Sequence, residues 1–156
     1  RAFLHLLANT GLRLSEAWSV NSPDQFTDNT LGLREHPGIG LKTGEREVPV
    51  SPHVRDMVVE ALPWPWVERQ AAGLAVRRAF RQAGFAGHRA SAHTLRHTFV
   101  RLWEGDESLL VGIMGWTSGR MLQVYRPYNV RRAVEQHQQY NPLSQPARGF
   151  VQLPML

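Results

Sequence analysis

The chain opens on an amphipathic helical pattern, Ala2-Phe3-Leu4-His5-Leu6-Leu7, and Thr10-Gly11 ends it, because glycine takes the left-handed terminating conformation cheaply. A second helix is predicted to start by Ser15, which leaves Arg13 at the joint. From Phe26 to Val50 the helical period disappears. Short β-type runs replace it at Thr30–Leu33, Ile39–Thr43 and Glu47–Val50, with bends at Pro37-Gly38 and Thr43-Gly44-Glu45. These runs predict a small antiparallel sheet. Ser51-Pro52 then reads as a helix start, a capping hydroxyl followed by proline at the first helical position. Val54, Met57, Val58, Ala61 and Leu62 line one face of that helix, and Pro63 and Pro65 end it.

Further helices are predicted over Leu74–Ala83, stopped by Gly84, and from about Ala92 to Glu104, capped by Ser91 and broken at Gly105-Asp106. Short helices follow at Ser108–Met114 and Ser118–Tyr125, and a last one at Val130–Gln139. The expected fold class is α+β, mainly α, with one small antiparallel sheet near the N-terminal third. No internal repeat or low-complexity run is present, and composition shifts only after Tyr140, where proline, glutamine and glycine dominate.

Composition narrows the class without naming a function. At 156 residues and 42% hydrophobic content the chain suits one globular domain with a real core. The net charge of +5 is compatible with a nucleic-acid partner but does not establish one. With no cysteine, a disulfide framework and thiolate metal sites are excluded. The sequence has neither a membrane-length apolar run nor a secretory leader pattern, so a soluble, cytoplasmic protein without membrane partners is expected. The opening at Arg1, directly on a helical pattern, reads as one domain of a longer protein.

Chemistry concentrates in five segments. They are Thr10-Gly11-Leu12-Arg13-Leu14-Ser15-Glu16, the hairpin stretch Leu41-Lys42-Thr43-Gly44-Glu45-Arg46-Glu47-Val48-Pro49-Val50, His93-Thr94-Leu95-Arg96-His97, Gly115-Trp116, and Tyr125. Arginine suits a phosphodiester because its guanidinium stays charged and its planar fork matches two non-bridging oxygens. A tyrosine hydroxyl can attack phosphorus and store the bond energy in a covalent intermediate, which agrees with the absence of a GxxxxGK[ST] phosphate loop. His93 and His97, one helical turn apart, also look like half a zinc site, but there is no HExxH glutamate and no third ligand in the sequence. No metal or other cofactor is expected.

In this order the five segments resemble the catalytic domain of the tyrosine recombinases, the phage-integrase family, from about Phe3 to Tyr128. The resemblance implies a site-specific DNA recombinase that cleaves and rejoins strands through a 3′-phosphotyrosyl intermediate. It implies roles for Arg13 and Arg96 in holding the scissile phosphate, for Lys42 as general acid on the leaving 5′-oxygen, and for His93 in proton transfer or phosphate hydrogen bonding. Trp116 stands where most members have histidine and some tryptophan. Tyr125, nine residues after Trp116, is the implied nucleophile, with Tyr128 as the fallback. Glu16 is expected to support the basic groups by hydrogen bonding, His97 to be structural, and Arg46 to contact DNA backbone or Glu45. The hairpin turn and the stretch between His97 and Gly115 are both shorter than is usual in the family.

By the same resemblance, residues 1–140 form the catalytic domain and 141–156 a tail that docks in cis or in trans. The family's N-terminal core-binding domain has no counterpart in this chain. Expected partners are double-stranded DNA, further copies of the chain in a tetramer on DNA, and accessory DNA-bending or directionality proteins, in a phage or mobile-element setting. Two other readings stay open: a DNA-binding module that keeps the fold but no longer breaks strands, and a type IB topoisomerase sharing the chemistry.

Overall fold

In a computed structural model of the chain, residues 1–35, 41, 44–85, 87, 90–125, 134 and 137 are described, apart from the side chains of Gln123 and Tyr125. Arg1–Tyr125 packs as one unit. Helix α1 (Ala2–Thr10) is its hub, burying Ala2, Phe3, Leu6, Leu7 and Thr10 on one helical face. It packs against both α3 (Pro52–Ala61) and α5 (Ala92–Leu102). The helix ends where Gly11 adopts φ 65° and its N–H donates to the carbonyl of Leu7 at 3.0 Å. Helix α2 (Leu14–Ser19) follows after two more residues and packs on α4 (Arg69–Gln82).

The sheet is antiparallel in the order β1 (Phe26–Thr27), β2 (Thr30–Leu33), β3 (Arg46–Pro49), with Leu31 opposite Val48 and Leu33 opposite Arg46. Leu31, Leu33 and Val48 are buried, so the inward positions of the two longer strands face the same core as α1 and α3. The third strand is Phe26–Thr27, which no β-type run had indicated. The run expected at 39–43 lies outside the described residues except for Leu41, which is buried but not in a strand.

Most helices fall where the apolar pattern puts them, with informative exceptions. Helix α4 starts at Arg69, five residues before Leu74, because Ala72 and Val76 supply its buried face and Leu74 points outward at 59% exposure. Ser51 precedes α3, but its hydroxyl does not cap the helix; it accepts from Asn9 Nδ2 at 2.8 Å, while its own N–H donates to Asn9 Oδ1 at 3.0 Å. That two-way bond ties the start of α3 to the end of α1. Helix α6 (Glu107–Met114) is capped by Asp106, whose carboxylate accepts from the N–H of Ser108 at 2.6 Å. Helix α7 runs Arg120–Tyr125, and the helix expected over 130–139 lies outside the described residues except for Val134 and His137. No helix among the described residues is long and apolar enough to cross a membrane.

A second core forms around α5, α6 and the segment after it, from Val100, Leu110, Met114 and Trp116, with Phe99, Trp103 and Leu122 packed against it. The two cores meet at Gly11. A Cβ built there would lie 2.6 Å from Phe99 Cδ1 and 2.7 Å from Met114 Cε, so only glycine lets the end of α1 approach α5 and α6 this closely.

Candidate active site

The site assembles around one carboxylate. Glu16 sits at the third position of α2, where its side chain reaches back to accept the N–H of Arg13 at 2.8 Å, as in the returning half of a capping box. The same carboxylate accepts from Arg13 Nη1 at 2.9 Å and pairs with Arg46 Nη2 at 3.1 Å. Arg96 Nη1 lies 4.0 Å from it. Three guanidiniums thus surround one acid, which leaves a local surplus of positive charge. Burial pushes the Glu16 carboxyl up, but the hydrogen bond and charge of Arg46 and the hydrogen bonds of Arg13 outweigh this and hold it below the ordinary 4.5.

The three arginines are held very differently. The Arg96 side chain is 2% exposed, donating from Nη1 to the carbonyl of Gly11 at 2.7 Å and from Nη2 to the carbonyl of Met114 at 3.2 Å. It also lies 5.8 Å from the Trp116 ring centroid, within cation–π range. The Arg46 side chain is 9% exposed, and its Nε donates to the carbonyl of Ile113 at 3.0 Å. Arg13, at 27%, is the most open of the three and the one nearest solvent. Expected to meet DNA backbone or Glu45, Arg46 turns inward to Glu16 and Ile113, while Glu45 accepts from the N–H of Glu35 at 3.1 Å.

Two of these arginines therefore hold the final carbonyls of α6, where the helix leaves its backbone acceptors unpaired and partially negative. Immediately beyond, Gly115 takes φ 64° and the N–H of Trp116 returns to the carbonyl of Val111 at 3.0 Å. This left-handed turn buries the Trp116 ring to 9% exposure, against Val100, Leu110 and Met114. Leu122 packs on the same group and ties α7, the helix that ends at Tyr125, to the Trp116 core.

His93 and His97 lie on α5 with their Nε2 atoms 2.8 Å apart and their rings perpendicular, the centroids 4.3 Å apart. At that distance one ring must donate and the other accept, so the pair does not carry two Nε2 protons along this bond. Partial burial, followed by the charges of His93, Arg101 and Arg96, lowers the His97 pKa below 6.5. Among the described residues no group of three or more histidines and carboxylates could hold a metal ion.

Of the residues singled out in the sequence, the fold gathers Arg13, Glu16, Arg46, Arg96 and Trp116 and pairs His93 with His97. Lys42 and the side chain of Tyr125 lie outside what the structure describes. Two features were missed. The inward turn of Arg46 was present in the two-residue period of β3, since Arg46 shares a face with Val48 while Glu47 and Pro49 point out. The second is α4, which exposes Arg69, Arg77, Arg78 and Arg81 and contains no carboxylate. Arg69 and Arg77 line a groove with Leu14 and Ser15, the two residues that follow Arg13 in the chain.

This helical body with its three-stranded sheet and arginine cluster has the fold of a tyrosine recombinase catalytic domain. The structure is similar to the crystal structure of XerA recombinase, at a TM-score of 0.66 and 21% identity over 90% of this chain and 56% of that one. It is also similar to the Tn1549 transposon integrase in complex with transposon right end DNA (TM-score 0.66, 17% identity, 90% of this chain and 58% of that one). A third is XerH site-specific recombinase bound to its palindromic difH substrate in a post-cleavage complex (TM-score 0.62, 20% identity, 90% of this chain and 45% of that one). The chain thus spans about half the length of these proteins. No protein-family model and no curated protein matches the sequence.

Proposed function

We propose that this chain is the catalytic domain of a site-specific DNA recombinase that cuts and rejoins strands without a cofactor. The observation that carries the reading is the Glu16 cluster. Arg13 from the first motif and Arg96 from the HTLRH motif, 83 residues apart in sequence, meet at one carboxylate beside Trp116. Three guanidiniums around one carboxylate give a net positive charge that suits a phosphate.

In the proposed reaction the Tyr125 hydroxyl oxygen attacks phosphorus as the bond to the 5′-oxygen breaks. The products are a 3′-phosphotyrosine and a 5′-hydroxyl, and the reverse attack by a 5′-hydroxyl from another strand rejoins the DNA. Lys42 protonates the leaving oxygen, His93 assists proton transfer, and Arg13 and Arg96 neutralise the charge gathering on the phosphoryl oxygens, with Trp116 packed beside them. Arg69 and Arg77 of α4, lining a groove with Leu14 and Ser15, suit the backbone of double-stranded DNA. Four copies on two DNA sites, with the tail beyond residue 140 docking in cis or in trans, complete the proposal.

The test incubates the protein with nicked duplexes spanning the DNA that flanks its own gene, then looks for a denaturant-resistant protein–DNA adduct. An adduct present in wild type and lost in Tyr125→Phe, with affinity unchanged, is expected. An adduct that survives Tyr125→Phe moves the nucleophile to Tyr128. Tight, salt-dependent binding with no adduct refutes cleavage and leaves a DNA-binding module.

A further inference from the structure

We propose that Arg46 is a positioning residue, not a DNA ligand: it locks the sheet, α2 and the end of α6 into the one arrangement that aims Arg13 and Arg96 at a phosphate. The proposal rests on the recombinase reading for its catalytic consequence, and on geometry alone for its structural one.

Arg46 bridges three separate elements at the site. It stands on β3, its Nη2 is 3.1 Å from Glu16 on α2, and its Nε donates to Ile113 on α6 at 3.0 Å. The residue next to Ile113, Met114, gives its carbonyl to Arg96. Arg46 and Arg96 therefore grip consecutive carbonyls of one helix end from two sides, and both face the same Glu16. If Arg46 is withdrawn, Glu16 loses the stronger of the two partners that oppose its burial, and the α6 terminus loses one of the two cations on its last carbonyls. The fork of arginine is needed, because Nε and Nη2 serve two acceptors on different elements at once, which a lysine ammonium on a flexible stem does less well.

Measurements on Arg46→Met and Arg46→Lys test this. Wild-type protein and both variants are first compared by thermal melting to establish that each folds. With the nicked duplex that traps wild type, single-turnover cleavage at saturating protein is expected to fall about tenfold to a hundredfold in Arg46→Met, the scale of a misplaced catalytic group, while Kd for the same duplex changes less than about twofold. Arg46→Lys recovers part of the rate. Independently of activity, the Nε–H resonances of Arg13 and Arg96 are expected to move in Arg46→Met, and the Glu16 carboxyl to titrate at higher pH than in wild type.

A parallel loss of affinity and rate, steepened at high salt, makes Arg46 a DNA ligand and overturns the proposal. Unchanged cleavage beside an active wild type overturns it alone, leaving the recombinase reading intact. If wild type itself forms no adduct, that reading falls, and the resonances then decide: unmoved Arg13 and Arg96 signals and an unmoved Glu16 titration overturn the positioning role as well. Should Arg46→Met fail to fold, the same readings on Arg46→Lys decide.

Discussion

Gly11 joins the stability of this fold to the geometry of its site, and replacing it by alanine separates two energies. The backbone there is left-handed at φ 65°, which costs a non-glycine residue about 1–2 kcal/mol. The added Cβ also lands 2.6 Å from the Phe99 ring and 2.7 Å from the Met114 methyl. Met114 can swing its terminal carbon aside, but the ring edge has to shift with α5, an overpacking cost of about 1–3 kcal/mol. Together Gly11→Ala is expected to destabilise by about 2–5 kcal/mol. Gly84→Ala is the control, since Gly84 is also left-handed, at φ 83°, but a Cβ there meets nothing within 4 Å. It is expected to cost only the conformational part, about 1–2 kcal/mol, less the few tenths regained from a stiffer unfolded chain. Urea titrations at fixed pH give both values from the shift in midpoint at constant slope. Because the Gly11 carbonyl accepts from Arg96, the Gly11 variant should also lose DNA cleavage beyond what its residual stability explains. Equal destabilisation of the two variants would refute the steric argument, and full cleavage by folded Gly11→Ala would refute the link to Arg96.

Glu16 is held below its ordinary 4.5, so its contribution to stability is present above the unfolded carboxylate pKa and lost as pH falls through the folded value. Glu16→Gln is expected to cost about 3 kcal/mol near neutrality, with the gap to wild type narrowing as pH falls through the folded Glu16 pKa, below the ordinary 4.5; a gap unchanged after the Glu16 carboxyl has been seen to titrate by NMR would contradict this. Arg96→Ala empties the place between Gly11, Met114 and Trp116, and cleavage in the adduct assay is expected to fall more than about a hundredfold, while a loss below about tenfold would make Arg96 structural. His97 should titrate below 6.5 by NMR, and Arg101→Ala should raise its midpoint by removing one of the charges that depress it; a His97 midpoint at or above 6.5 would contradict the packing.

Much of the fold is legible as pattern. The apolar face of α1, the glycine at its end, the proline start of α3 and the HTLRH helix follow from local preferences that neighbouring residues satisfy. Where the reading missed, a tertiary partner had overridden a local one. Ser51 looked like a cap and instead bonds Asn9, 42 residues away. Helix α4 begins five residues before its apolar pattern suggested, since small Ala72 is as buried as any larger side chain. Phe26–Thr27 is too short to register as a run and exists as a strand only because β2 lies beside it.

The candidate site divides along the same line. The residue types and their order, arginine with a glutamate three positions on, a lysine at position 42, HTLRH, tryptophan and tyrosine, can be read from the sequence, because the chemistry of each side chain and its spacing within a motif need no distant partner. Which way each charge faces is not. Arg46 and Arg13 are the same residue type a few residues from a turn, yet one is drawn inward to Glu16 and Ile113 and the other stays near solvent. Only the packing of β3 and α6 against α2 decides that, because burying a guanidinium is favourable only where a carboxylate and a helix-end carbonyl from distant parts of the chain have already been brought together.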